Sequence, residues 1–148
     1  MPMSPRMATS QRLSEAELSR DPIELCHARV FLEDYAVAVR MLRLCREDAR
    51  ERASLGRQES NEVAYYGRVG GDEQHWLGRA REVRAFIDAL PHRDSKLFLY
   101  YHYVRGLTVE ETAEELDIGV RTAYRRKRKA IAYAAHCLAV QARDGGVA

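Results

Sequence analysis

Apolar side chains recur at intervals of three and four residues almost throughout this chain, and runs of alternating β-branched residues between tight turns are missing. The pattern predicts an all-α fold. Capping residues mark its boundaries. Ser14 followed by Glu17 has the spacing of a cap for a short helix, within an otherwise polar and flexible N-terminus over residues 1–20. Asp21 suits an N-cap, Pro22 the first helical position and Glu24 the third, so a long helix is predicted over residues 21–54. Within it Leu25, Ala28, Leu32, Tyr35, Val39, Leu42, Ala49 and Ala53 form one packing seam, with Arg46 interrupting. Ile23, Cys26, Val30, Val37, Met41 and Leu44 form a second stripe beside it. One helix cannot bury both stripes alone. That leaves two partners open, the rest of this chain or a second copy in a homodimer through residues 22–54.

Residues 55–71 are glycine-bearing and aperiodic and read as a linker, with Tyr65 and Tyr66 available to dock it onto a neighbour. Asp72 is then placed to cap the first helix of a C-terminal domain over residues 72–143. Trp76, Ala80, Val83, Ile87 and Leu90 give that helix one apolar stripe, which makes Trp76 a core residue, and Pro91 ends it. Leu97, Phe98, Tyr101 and Val104 predict a following helix that faces inward and closes at Gly106. Thr108 and Glu111 have the spacing of a capping box for a short helix. This helix is acidic outside (Glu110, Glu111, Glu114, Glu115) and apolar inside (Val109, Ala113, Leu116). Thr112 adds a hydroxyl to be satisfied. Asp117, Ile118 and Gly119 read as a tight turn in which Asp117 tolerates positive φ and Ile118 enters the core. A helix, a three-residue turn and a second helix from about Val120 follow helix-turn-helix grammar, in which the second helix enters the major groove with its N-terminal residues at base edges.

Charge sharpens this picture. The whole chain carries 24 Lys plus Arg against 22 Asp plus Glu, a formal +2. Residues 119–148 hold seven cations (Arg121, Arg125, Arg126, Lys127, Arg128, Lys129, Arg143) and one acid, Asp144, a net +6 that leaves −4 for the remainder. Six of the seven lie on the predicted second helix. Arg121, Thr122, Tyr124 and Arg125 are expected at or near base edges and Arg126, Arg128 and Lys129 on phosphates, because the first turn projects deepest into the groove. Ala123, Ala130, Ile131, Ala134 and Leu138 continue inward. The expected partner is double-stranded DNA.

Leu90-Pro91, the run from Tyr103 through Leu116, and then Ile118 and Thr122 resemble the region-four helix-turn-helix of sigma factors over about residues 86–140. That module reads the −35 promoter element and touches the polymerase β-flap, so the resemblance implies promoter DNA and RNA polymerase as partners. Where the family has Gly in the turn and Ser or Thr at the recognition-helix cap, this chain has Asp117 and Gly119. Residues 22–54 supply one helix where a complete sigma factor needs the bundle that melts promoter DNA, so the likeness stops at this module. The layout of long helix, linker and a single C-terminal module followed by Tyr124-Arg125-Arg126 is similar to ArpU/RinA-type phage and prophage regulators. This similarity implies a late-gene transcriptional activator. A small-terminase-like packaging protein and a polymerase-binding adaptor without DNA readout are the alternatives.

Other classes find little in the sequence. A length of 148 residues suits one ordinary domain or two very small ones. No apolar run approaches the roughly 18–20 residues a bilayer requires, and no signal-type apolar stretch opens the chain, which predicts a cytoplasmic protein with no membrane partner. Cys26, Cys45 and Cys137 form an odd set without a C-x-x-C pair, and the five histidines are scattered. Without metal spacing, a phosphate loop or a nucleophile elbow, no catalytic residue, metal or cofactor is expected, and no enzyme.

Overall fold

A computed structural model describes residues 12–55 and 60–145 of the chain, residues 60–71 by their backbone alone. Residues 1–11 and the side chains of Tyr65 and Tyr66 lie outside the described residues. Among the described residues there is no strand. A 3₁₀ turn at Glu15–Glu17 precedes five helices: α1 (Pro22–Leu55), α2 (Ser60–Asp88), α3 (Arg93–Leu99), α4 (Val109–Leu116) and α5 (Val120–Gly145). A wider π turn at Tyr100–Val104 extends α3. The fold is all-α, as the periodicity predicts.

The start of α1 follows its capping residues with one change. Asp21 Oδ1 accepts the Ile23 N–H at 2.9 Å. Glu24 does not reach back to Asp21; its carboxylate accepts the Ser19 hydroxyl at 2.6 Å, and Ser19 Oγ accepts the Asp21 N–H at 3.3 Å. The box closes through Ser19.

The expected linker, residues 55–71, is helical from Ser60 onward, and Asp72 lies inside α2 instead of capping it. Isolated glycines cost a helix only about 1 kcal/mol each relative to alanine, and packing along a neighbouring helix outweighs that. The neighbour is α1. Ala28 and Leu32 near its start share a buried cluster with Val83, Phe86 and Ile87 near the end of α2, so the two helices run antiparallel. The Phe31 and Phe86 rings meet edge to face at 5.4 Å, and the Arg79 guanidinium stands 5.0 Å from the Phe31 ring while pairing with Asp34 at 2.8 Å. Further out, the buried Cys45 thiol is pushed above its ordinary value by burial, with Glu73 and Asp72 of the facing helix adding to the shift.

The α1 seam holds at Ala28, Leu32 and Leu42, all buried, and then drifts. Ala38 and Cys45 are buried where Val39 and Arg46 stood in the predicted row, and Ala49 and Ala53 are exposed. Buried positions that fall earlier than a strict seven-residue repeat mean that the contact line winds left-handedly around α1 along its length. Most of the second stripe faces outward: Ile23, Val30 and Leu44 are 74%, 52% and 56% exposed, and Cys26 is exposed. Val37 and Met41 are half-buried. Among the described residues the seam has a partner and the whole stripe does not.

Leu90, Leu99, Tyr103, Ala130, Ile131, Tyr133, Ala134 and Ala135 complete the main cluster, which joins α1, α2, α3 and α5 in one core. Trp76, expected in the core, is half-buried outside this cluster, against His75 at 4.8 Å between ring centroids. A second, smaller cluster of Phe98, Val109, Ala113 and Ala123 sits between α3, α4 and α5, with Leu116 and Ile118 closing it. On α3 the inward residues are Phe98, Leu99 and Tyr103, whereas Leu97, Tyr101 and Val104, expected inside, are half-buried. The π turn explains the shift from Tyr101 and Val104 to Tyr103. Arg105 N–H reaches back five residues to Tyr100 O at 2.9 Å, so the extra residue per turn re-phases the helix just before it ends.

Candidate nucleic-acid interface

The α3–α4 junction is built around Gly106, whose φ of 74° lets the Leu107 N–H fold back to Tyr101 O at 3.1 Å. His102 braces the same loop, its Nδ1 lying 2.7 Å from Leu107 O. Burial holds this imidazole below the ordinary histidine range, the bond to Leu107 opposing the shift and nearby Lys127 adding to it. Thr108 then starts α4 with the predicted capping box. Its Oγ1 accepts the Glu111 N–H at 3.0 Å, and Glu111 Oε1 accepts the Thr108 N–H at 2.9 Å.

Helix α4 ends in a Schellman closure. Asp117 takes the left-handed conformation (φ 55°) and the Ile118 N–H bonds Ala113 O at 3.0 Å, turning Ile118 onto the Phe98 cluster. Gly119, by contrast, has no positive φ; it serves as the N-cap of α5, its carbonyl accepting the Ala123 N–H at 2.9 Å. Ala113 and Ala123, exposed by 2% and 0%, are small enough for α4 and α5 to approach closely at the turn.

Thr112 is fully buried in this junction and its hydroxyl has no partner among the described residues. A buried unpaired polar group costs about 1–3 kcal/mol, and valine has nearly the same shape. Thr112→Val is therefore expected to stabilise the protein by about 1 kcal/mol, seen as a rise in the urea midpoint at unchanged slope. A lowered midpoint would show that the hydroxyl is satisfied.

The side chains expected on DNA all project from the first three turns of α5, though not as one face. Arg121 and Arg128, a heptad apart, are exposed on a common line. Tyr124 is 42% exposed, and its hydroxyl donates to Glu110 Oε2 of α4 at 2.8 Å, which raises the phenol and contributes to holding the Glu110 carboxyl low. The largest influence on Glu110 is its own backbone N–H at the helix start. Thr122, Arg125, Arg126 and Lys129 turn the other way, into a cleft of about 590 Å³ shared with Arg12, Leu13, His92, Asp94 and Ser95. Residues expected at bases and residues expected on phosphates thus meet in one concavity. Lys127 points inward enough to be half-buried.

Arg12 and Glu110 belong to this surface although nothing in the sequence singled them out for it. Arg12 comes from the polar N-terminus, and Glu110 reads simply as one acid of an outer face. Among the described residues no three His, Cys, Asp or Glu side chains stand together as a metal site, and no helix is long and apolar enough to cross a membrane. Comparison with protein-family models, curated proteins and solved structures gives no match for this chain.

Proposed function

We propose that this protein binds double-stranded DNA in a sequence-specific manner, with α5 in the major groove, and regulates transcription. The observation that carries the proposal is the α4–α5 unit: a capped helix, a left-handed Asp117 turn and a second helix whose first three turns present Arg121, Tyr124, Arg125 and Arg128 to solvent. Arg121, in the first turn, is the leading candidate for a bidentate contact to guanine. Arg126, Arg128 and Lys129 lie far enough along α5 to meet the backbone. The resemblance to sigma region four, and more loosely to ArpU/RinA-type phage regulators, gives this the form of a promoter-proximal activator that also touches RNA polymerase.

Selection of duplexes from a random library by the full chain, followed by sequencing, tests the proposal. An enriched motif is expected. Arg121→Ala is expected to lose discrimination at one or two positions of that motif, at a cost of about 1–3 kcal/mol on the specific site and little on random DNA. Equal losses on both would remove Arg121 from the base contacts. Polymerase binding without any enriched motif would favour the adaptor, and ring-sized oligomers in light scattering the packaging protein.

A further inference from the structure

The N-terminal segment is strapped across α5. Glu17 accepts both the N–H and the hydroxyl of Ser14 at 3.0 and 3.1 Å, and Arg20 pairs with Glu15. The Ser19 N–H bonds Ala132 O of α5 at 3.0 Å, and Leu13 and Leu18 pack on the main core. These contacts set Arg12 at the rim of the cleft that holds Arg125, Arg126 and Lys129. Four cations from two separate parts of the chain therefore converge there against one carboxylate, Asp94.

None of the four makes an ion pair or hydrogen bond among the described residues, although Arg20, Arg79 and Arg84 do so elsewhere on the protein. Ser95 and His92 of the cleft are occupied with each other: the Ser95 hydroxyl lies 2.7 Å from His92 Nδ1, which also accepts the Ser95 N–H at 3.2 Å. The cleft is left with an excess of positive charge. Convergent cations repel one another unless an anion lies between them, and the cleft opens along the flank of the helix assigned to the groove.

We infer that this cleft binds the sugar–phosphate backbone of the strand bordering the groove, with Arg12 of the N-terminal segment clamping it against Arg125, Arg126 and Lys129. The inference rests on the DNA-binding function proposed above and alters its contact map. Arg125 and Thr122 serve the backbone, and base reading falls to Arg121 and Tyr124.

The test measures binding of the full chain to a random-sequence duplex across a salt series, with Arg43→Ala on the far part of α1 as a charge-matched control. Arg12→Ala is expected to flatten the slope of log affinity against log salt by about 0.9 and to weaken binding about eightfold at 0.1 M salt, with Arg126→Ala acting in the same direction. Arg43→Ala leaves both unchanged. In parallel, inorganic pyrophosphate is titrated while the Ser95 and Thr122 amide resonances are followed; they are expected to shift in the parent chain and not in the Arg12→Ala/Arg126→Ala double variant. Duplex binding in which Arg12→Ala matches Arg43→Ala overturns the clamp and leaves the DNA-binding function standing. Absence of duplex binding with a persistent pyrophosphate shift keeps the anion cleft and sinks the DNA-binding function. Absence of both removes both.

Discussion

Phe98→Ala is expected to cost about 3–5 kcal/mol, the range for emptying a large, fully buried aromatic site. Phe98 is the one large side chain wholly enclosed in the small cluster between α3, α4 and α5, where its neighbours Ala113 and Ala123 have nothing to extend into the gap. Collapse cannot fill the hole without moving α4 against α5. The same substitution is therefore expected to abolish duplex binding, because the angle between those helices aims Arg121. Urea unfolding followed by circular dichroism checks the first effect and fluorescence anisotropy the second. A loss below about 1 kcal/mol would mean that something other than Phe98 fills the junction.

Leu32→Ala carries the second large effect, about 2–5 kcal/mol. Leu32 is fully buried in the main cluster, which draws residues from α1, α2, α3 and α5. If α1 belongs to that core, the loss is the same at every protein concentration. A helix whose seam is covered only by a second copy would behave differently, its midpoint rising as the protein is concentrated. Urea melts over a hundredfold range of concentration separate the two, and an unchanged midpoint difference is the expected result.

Much of this architecture is legible in single residues. Thr108 and Glu111 foretell both bonds of their capping box, Asp117 the left-handed turn and Ile118 its insertion beside Phe98, because each depends on chemistry within a few positions of the chain. The misread parts depend on distant partners. Gly67, Gly70 and Gly71 argue locally for a linker, and only the presence of α1 alongside makes helix the better choice. The inward phase of α3 is displaced by a π turn that no pattern of three and four anticipates. At the interface, the cations of α5 are evident from composition. That Thr122, Arg125, Arg126 and Lys129 share one cleft is not legible there, since helical phase alone cannot report that the N-terminal segment and α3 form the opposite wall.

The segment that seals α5 also bears on the route to this structure. The α4–α5 turn draws on neighbours close in sequence and the α1–α2 hairpin on intermediate separations such as Phe31–Phe86, whereas the Ser19–Ala132 bond and the cluster shared by Leu32 and Ala134 join residues about a hundred positions apart. Closing so long a loop costs entropy that grows only with the logarithm of its length, and two preformed helical units repay it in a single docking event. Late docking of residues 12–20 then makes this cleft the last feature to form. A nascent chain would complete both halves of the cleft only after α5 has been synthesised and residues 12–20 have docked against it.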